Sequence, residues 1–294
     1  MKTEFLERAN RIATDNVSSA QQILKDTLDL LYDFGLESCG ESNFVQELKA
    51  FSTTLSNAQA QMSALSNICG FVNSTVEKID PEKACPYIDS LRRKVSEASS
   101  KTADEASKLI VKGGSYATLS QSEFVLKAFE LAAEQKKAAL VFVMESRPLF
   151  EGRQTARALK KMGHRSILVS DAAIGSFIRE IHSAFVGADA ILGDGTLINK
   201  IGSFALASAC SVAKKNFYAV TSVLKYDPRK TASTFLNKEE SSHEIFPNPE
   251  FEVRNVYFDK VNQDLVTAVI TEVGQFSPAS GLDRIDAAMR EMYG

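Results

Sequence analysis

Residues 115–144, SYATLSQSEFVLKAFELAAEQKKAALVFVM, carry the strongest indication of the fold class in this sequence. Two short apolar runs, 115–119 and 139–144, flank an amphipathic segment at 123–136. Short apolar runs separated by a helix-length pattern are typical of buried parallel strands joined by a crossover helix. The sequence therefore predicts a strand–helix–strand unit here, in a sheet that helices cover.

The same alternation continues toward the C-terminus. Predicted strands cover residues 165–169, 184–187, 217–220, 251–258 and 265–271, and predicted helices cover 152–162, 173–181 and 202–215. The pair Asp194-Gly195 indicates a tight turn between strands. Residues 226–249 are polar and contain three prolines, a composition typical of a long loop. Strands that alternate with helices favour the α/β class with a mainly parallel sheet.

The first 112 residues have a different pattern. They contain few glycines, and their apolar residues recur every three or four positions, as on one face of a helix. The pair Asp80-Pro81 is typical of a helix start, with a capping residue before a first-turn proline. We therefore predict two domains, an all-helical bundle over residues 1–112 and an α/β domain over residues 113–294.

Composition excludes several classes of protein. A net charge of −3 lacks the basic surplus of a nucleic-acid-binding chain, so no direct nucleic-acid contact is expected. The longest apolar run, 138–144, is far shorter than the ~20 residues that cross a bilayer. The N-terminus has no apolar signal segment, so we expect a cytoplasmic protein that does not bind membranes. The cysteines and histidines are scattered, and no dinucleotide or phosphate-loop motif occurs, so neither a metal nor a cofactor is expected.

Candidate site residues follow the predicted strands, because open parallel sheets bind ligands at the carboxyl ends of their strands. Ser120 and Ser122 follow the first strand and open a helix, where they either help to bind an anion or cap the helix. Arg147 follows the second strand. Its planar guanidinium suits a phosphate or carboxylate, and a surface ion pair with Glu145 or Glu151 is the alternative.

Later strands are followed by further polar side chains. Asp171 either belongs to the site or caps the next helix. Asp189 comes after a buried strand, where the pKa of a carboxyl group can be tuned for proton transfer. Asn199 and Lys200 precede a helix and are typical of a site that binds phosphate or stabilises an oxyanion. Together these residues predict one pocket for a small phosphorylated ligand.

The order of several sequence blocks resembles one known family. The blocks are Glu145-Ser146-Arg147-Pro148, Val186-Gly187-Ala188-Asp189, Asn199-Lys200-Ile201-Gly202 and Ile270-Thr271-Glu272-Val273-Gly274. They are similar to the alpha, beta and delta subunits of eukaryotic translation initiation factor 2B, a family that includes isomerases of methylthioribose 1-phosphate and ribose 1,5-bisphosphate. The resemblance spans residues 105–280. It implies a helical N-terminal domain and a Rossmann-like C-terminal domain that forms a homodimer.

The resemblance also assigns roles to two residues. The family's isomerases use a cysteine and an aspartate, and these positions correspond to Ser120 and Asp189. A serine hydroxyl has a far higher pKa than a thiol and is poorly suited to moving a proton. The resemblance therefore favours a regulatory, non-catalytic protein that acts on the GTP-binding initiation factor 2, together with other 2B-type subunits. Such a protein would sense a sugar phosphate or a nucleoside monophosphate.

The alternative function is an aldose–ketose isomerase of a phosphorylated pentose. Asp189 would then move a proton between C1 and C2 of the sugar. Asn199 and Lys200 would stabilise the developing oxyanion, and Arg147 and Ser122 would hold the phosphate.

Overall fold

The computed structural model of the protein describes residues 3–15, 19–59 and 61–294. The chain divides into two compact units. The first lies within Met1–Ala98 and adds Val223–Tyr226 and Ile285–Gly294, and the second comprises Ser99–Ser222 and Asp227–Arg284. No helix within the described ranges is both long enough and apolar enough to cross a membrane.

The first unit is helical, as predicted. Its helices are α1 (Thr3–Thr14), α2 (Ala20–Ser38), α3 (Phe44–Ala58), α4 (Ser63–Val76), the first part of α5 (Ala84–Ser107) and most of α10 (Leu282–Tyr293). Pro81 opens a short 3-10 turn, Pro81–Lys83, directly before α5, so the predicted helix start is confirmed, but Asp80 makes no side-chain capping hydrogen bond. Apolar side chains at helical spacing, such as Leu48 and Leu65, are fully buried in its core.

The boundary between the units differs from the predicted one at residue 112. The division falls inside α5, because Ala106 and Ile110 pack with Tyr116 in the core of the second unit. The C-terminal helix belongs largely to the first unit. The Tyr293 ring stacks on Phe71 at a centroid distance of 6.3 Å, which buries the end of α10 against the helical bundle.

The second unit contains a seven-stranded sheet with the order β11-β10-β7-β4-β1-β2-β3. Its strands are β1 (Ser115–Thr118), β2 (Leu140–Met144), β3 (Arg165–Val169), β4 (Ser183–Val186), β7 (Asn216–Val220), β10 (Ala268–Thr271) and β11 (Gly274–Phe276). All neighbours pair in parallel except β10 and β11. Besides the end of α5 and the first residues of α10, this unit contains the helices α6 (Glu123–Glu134), α7 (Glu151–Lys161), α8 (Ile174–Phe177) and α9 (Ser203–Val212). The predicted mainly parallel sheet is confirmed.

A second sheet of four strands was not predicted. It has the order β8-β5-β6-β9, formed by β5 (Ala190–Leu192), β6 (Leu197–Lys200), β8 (Tyr226–Asp227) and β9 (Phe258–Val261). The predicted Asp194-Gly195 turn joins β5 to β6, and Gly195 has the positive φ of 78° that such a turn needs. The predicted strand at 251–258 is wrong over most of its length, because only its last residue enters β9. The predicted helix at 173–181 shortens to α8.

Candidate functional site

Three segments meet around Gly187, directly after β4. A Cβ atom built on Gly187 would lie 2.8 Å from Ser122 Oγ and 3.6 Å from Asn199 Oδ1. Since glycine has no side chain, the hydroxyl and the amide can approach the strand end closely. The Ser122 hydroxyl also accepts a hydrogen bond from the Val125 N–H at 3.4 Å, so this serine caps α6 as well. The structure thus brings two predicted ligand-binding residues together.

Ser120 is held by its backbone. Its N–H donates to Ser146 Oγ at 2.7 Å, and its carbonyl accepts a hydrogen bond from Thr155 Oγ1 at 2.7 Å. Its φ is 58°, in the left-handed region that few non-glycine residues occupy. Among the described residues no hydrogen bond involves the half-buried Ser120 hydroxyl. A strained backbone with a positioned side chain is common where a side chain faces a ligand.

Asp189 leaves the same edge of the sheet from a neighbouring strand, because β4 pairs with β1. Its N–H donates to the Ile198 carbonyl at 2.8 Å, which places it beside β6 and next to Asn199. The side chain is half-buried. Within the part of the chain that the structure describes, its carboxylate has neither a hydrogen bond nor an ion pair. Such a carboxylate is available to a ligand.

Lys200 is held by an acid and an aromatic ring. Its Nζ lies 3.0 Å from Glu151 Oε1 and 4.6 Å from the centroid of the Tyr257 ring. The Lys200 and Glu151 side chains are only 15% and 20% exposed. Tyr257 donates a hydrogen bond from its hydroxyl to Glu244 at 2.7 Å. Burial, followed by this contact with Glu244, raises the pKa of Tyr257 well above its usual value. The contacts with Glu151 and with the Tyr257 ring together give the Lys200 ammonium a defined position beside Asn199.

The start of α9, predicted as a place for phosphate, already binds a carboxylate of this chain. The N–H groups of Gly202 and Phe204 donate to Asp259 Oδ2 at 2.8 and 2.9 Å. Burial raises the pKa of Asp259, and these two hydrogen bonds oppose part of the rise. Asn199 Nδ2 donates to Ser203 Oγ at 2.8 Å. A phosphate bound to these amides would have to displace Asp259.

Arg147 contacts a loop and not the residues around Gly187. Its Nη2 donates to the Ile245 carbonyl at 3.0 Å, and its guanidinium is exposed. Neither predicted ion pair of Arg147 forms, since Glu145 pairs with Arg153 at 2.9 Å and Glu151 pairs with Lys200.

Asp171 holds the turn after β2. Its two carboxylate oxygens accept hydrogen bonds from the N–H groups of Ser146 and Arg147 at 2.8 and 2.7 Å. No side-chain capping bond is found at the helical turn that contains Asp171, so this residue positions a strand end and does not act as a cap.

Sequence reasoning missed several residues of this region. Nothing in the sequence distinguishes Ser146, which lies between two charged residues. Its buried hydroxyl accepts a hydrogen bond from the Ser120 N–H and so connects the end of β1 to the end of β2. Tyr257 lies in the predicted strand at 251–258, which does not form at this residue. The sequence suggests Glu151 only as a partner for Arg147. No local pattern marks these residues, because their partners lie far away in the sequence. No cluster of metal-binding side chains occurs within the described ranges.

A helical unit and a unit built on a mostly parallel seven-stranded sheet define a protein of the mixed α/β class. The chain belongs to the initiation factor 2 subunit family, whose model matches residues 4–278. Ribose 1,5-bisphosphate isomerase of Archaeoglobus fulgidus is 29% identical over 283 residues, which cover 94% of this chain and 90% of the relative. An eIF-2B subunit 2-like protein of Pyrococcus abyssi is 27% identical over 275 residues, 93% of this chain and 96% of the relative.

The fold is similar to that of a solved relative. The crystal structure of translation initiation factor eIF-2B from Pyrococcus horikoshii OT3 matches with a TM-score of 0.87 and 26% identity, over 96% of this chain and 100% of that one. The family predicted from the sequence blocks is therefore confirmed. Because the relatives include both isomerases and initiation-factor-like proteins, membership alone does not decide between the two functions.

Proposed function

We propose that the protein binds a phosphorylated pentose at the carboxyl edge of its large sheet and interconverts the aldose and ketose forms. The observation that carries this proposal is the half-buried Asp189 carboxylate, which has no partner within the described residues. A carboxylate in this state can accept a proton from one sugar carbon and return it to the next. Isomerases among the relatives that span nearly the whole chain support this choice over the regulatory role that Ser120 favours.

The neighbouring groups have complementary roles in this proposal. The Asn199 amide and the Lys200 ammonium stabilise the negative charge that develops on the sugar oxygen in the transition state. The Ser120 hydroxyl donates a hydrogen bond to a substrate oxygen, because it cannot release a proton near neutral pH as a thiol can.

Two further residues hold the phosphate. Ser122 donates its hydroxyl hydrogen to a phosphate oxygen. Arg147 does not contact the residues around Gly187 in this structure, so its part in phosphate binding requires that it exchange its hydrogen bond with the Ile245 carbonyl for a stronger, charge-assisted one with phosphate.

The first experiment measures turnover. Purified protein is incubated with ribose 1,5-bisphosphate, and the ketose product is followed by NMR. We expect turnover by the unaltered protein and a loss of about 100-fold or more in Asp189→Asn, since general-base removal typically costs that much. The variant should still bind the substrate in calorimetry. Asp264→Asn, which changes an exposed carboxylate, is the matched control and should keep full activity. Binding without turnover by the unaltered protein would contradict the proposal.

A second candidate function rests on Ser120, which occupies the position of the catalytic cysteine of the family's isomerases. In this case the protein binds a sugar phosphate or nucleoside monophosphate without converting it. It then acts on initiation factor 2 by direct contact, as a homodimer or with 2B-type subunits. Binding to purified initiation factor 2, measured with and without ribose 1,5-bisphosphate, tests this function. A Ser120→Cys variant that gains isomerase activity while the parent has none would favour it.

A further inference from the structure

Two thiols of the helical unit line one cavity. Cys39 directly follows α2, and Cys85 lies in the first turn of α5. Both border a cavity of about 500 Å³, together with Tyr32 and Arg93. Cys85 is buried, Cys39 is half-buried, and neither forms a disulfide in this structure. The proposed sugar-phosphate site uses neither residue.

Hydrogen bonds place the Cys39 sulfur at the start of α5. The Cys39 thiol donates to the Pro81 carbonyl, with a sulfur–oxygen distance of 3.4 Å. The same carbonyl accepts a hydrogen bond from the N–H of Ala84, the residue directly before Cys85. The Cys39 sulfur therefore lies against the turn that leads into Cys85.

The Cys85 sulfur, in turn, lies against the last turn of α2. A Cβ atom built on Gly35 would be only 2.7 Å from Cys85 Sγ, so this thiol occupies the space that the glycine leaves open. The Cys39 N–H donates to the Gly35 carbonyl at 3.0 Å, so the two residues are one helical turn apart. Helical side chains lean over the preceding turn, which directs Cys39 toward the same space.

We propose that Cys39 and Cys85 form a reversible disulfide in the presence of a low-molecular-weight disulfide such as glutathione disulfide. The Cys39 thiolate attacks one sulfur of the oxidant, which forms a mixed disulfide and releases one small thiol. The Cys85 thiolate then attacks Cys39 Sγ and releases the second small thiol. Both protein hydrogens end on the released thiols. The protein is thus oxidised by two electrons, and the oxidant is reduced by two.

The surroundings of the two thiols determine which one attacks the oxidant first. Cys39 is the attacking thiol because it is accessible from the cavity. Burial, and to a lesser degree the charge of Cys39, raises the pKa of Cys85, which disfavours its thiolate and therefore its direct attack on the oxidant. The new bond would join the end of α2 to the start of α5 and enclose α3 and α4. A cross-link across such a loop stabilises the folded state by restricting the unfolded chain.

The test uses the full chain, equilibrated in glutathione buffers of increasing oxidised fraction and then alkylated. We expect the oxidised protein to carry two fewer alkyl groups than the reduced protein, and to yield a proteolytic fragment that links Cys39 to Cys85. We also expect a rise in Tm of roughly 5 °C or more. Cys39→Ser and Cys85→Ser should each abolish the linked fragment. Cys69→Ala, which changes a buried thiol with a pKa raised to about 11, should leave the linked fragment unchanged.

Two results would overturn the proposal. One is full alkylation of both thiols in every buffer. The other is stable glutathione on Cys39 with no linked fragment, which would show that Cys85 cannot reach the mixed disulfide. Both measurements are made on the unaltered protein, so they do not depend on the folding of any variant.

Discussion

The Nζ of Lys200 lies 3.0 Å from Oε1 of Glu151, and this ion pair joins the end of β6 to the start of α7. The second oxygen of Glu151 is buried and has no hydrogen-bond partner among the described residues. Among the described residues, the Lys200 ammonium is therefore the group that neutralises the charge of this carboxylate.

Lys200→Met removes that cation and leaves a poorly hydrated carboxylate. We expect the free energy of unfolding to fall by about 1–3 kcal/mol, because an unpaired buried charge is costly. The double variant with Glu151→Gln should recover part of the loss. Urea unfolding measures both variants. Lys83→Met breaks an ion pair with Asp80 in which both side chains are exposed, and it should change little. Equal losses in the Lys200 and Lys83 variants would argue against this account.

Gly187→Ala should damage the candidate site, because the added Cβ would lie 2.8 Å from Ser122 Oγ. The serine would have to move, and we expect at least a tenfold loss of affinity for ribose 1,5-bisphosphate, about 1.4 kcal/mol. Calorimetry measures this affinity. Gly175→Ala is the matched control, because a Cβ there would meet nothing within 4 Å. Unchanged affinity in Gly187→Ala would separate Ser122 from the ligand site.

His164 and His182 form a natural pair for comparison. His164 is buried, and its Nδ1 accepts a hydrogen bond from the Ala139 N–H at 3.1 Å while its Nε2 lies 2.8 Å from the Phe129 carbonyl. His164→Leu leaves two buried backbone groups unpaired, so we expect a loss of about 2–4 kcal/mol in unfolding free energy.

The exposed His182 provides the control for that substitution. Its Nδ1 accepts a hydrogen bond from the Ser115 N–H at 3.0 Å, at the start of β1. His182→Leu should cost less than about 1 kcal/mol, because water can replace the ring there. Thermal and urea unfolding give the comparison, and an equal effect of the two substitutions would refute it.

Asp227 should make the stability depend on pH below about 4. Its side chain is fully buried, which alone would raise its pKa, but the Arg229 guanidinium at 2.7 Å holds the net pKa below its usual value. The folded state then binds fewer protons than the unfolded state, whose Asp pKa is about 3.9. The ionised Asp227 contributes its full stabilisation of the folded state above that pH. This stabilisation is lost as the pH falls through the pKa of Asp227 in the folded state. Asp227→Asn should flatten the decline in urea midpoint between pH 5 and 3.

The oligomeric state remains a prediction from the family resemblance. A homodimer should scatter light with a mass of about twice 32.2 kDa at micromolar concentration. A monomer mass under these conditions would contradict the expected dimer without affecting the assignment of the family.

Elements with a strong local pattern could be predicted, and those made by distant pairing could not. The predicted strand at 165–169 coincides with β3, because a short apolar run bounded by turn residues is a local signal. The hairpin of β5 and β6 was missed apart from its turn. Its strands are very short, and Lys200 pairs with Phe258 from a remote part of the chain.

The candidate site shows the same division. Ser120 and Asp189 could be placed at one sheet edge from sequence, because strand order along the chain and the carboxyl-end rule are enough for that. The anion-binding role of the α9 start could not be judged in this way. Asp259 already accepts those amide hydrogens, and it comes from a strand far along the sequence.

Local periodicity and short motifs were enough to predict the fold class, the family and the side chains that follow each strand. Which of those side chains already have a partner depends on contacts between residues that are distant along the chain. Lys200 is bound to Glu151, and the carboxylate of Asp189 has no partner among the described residues. The reason is physical: hydrogen bonds and ion pairs act over a few ångströms, and residues that are distant along the chain come within that range only after folding.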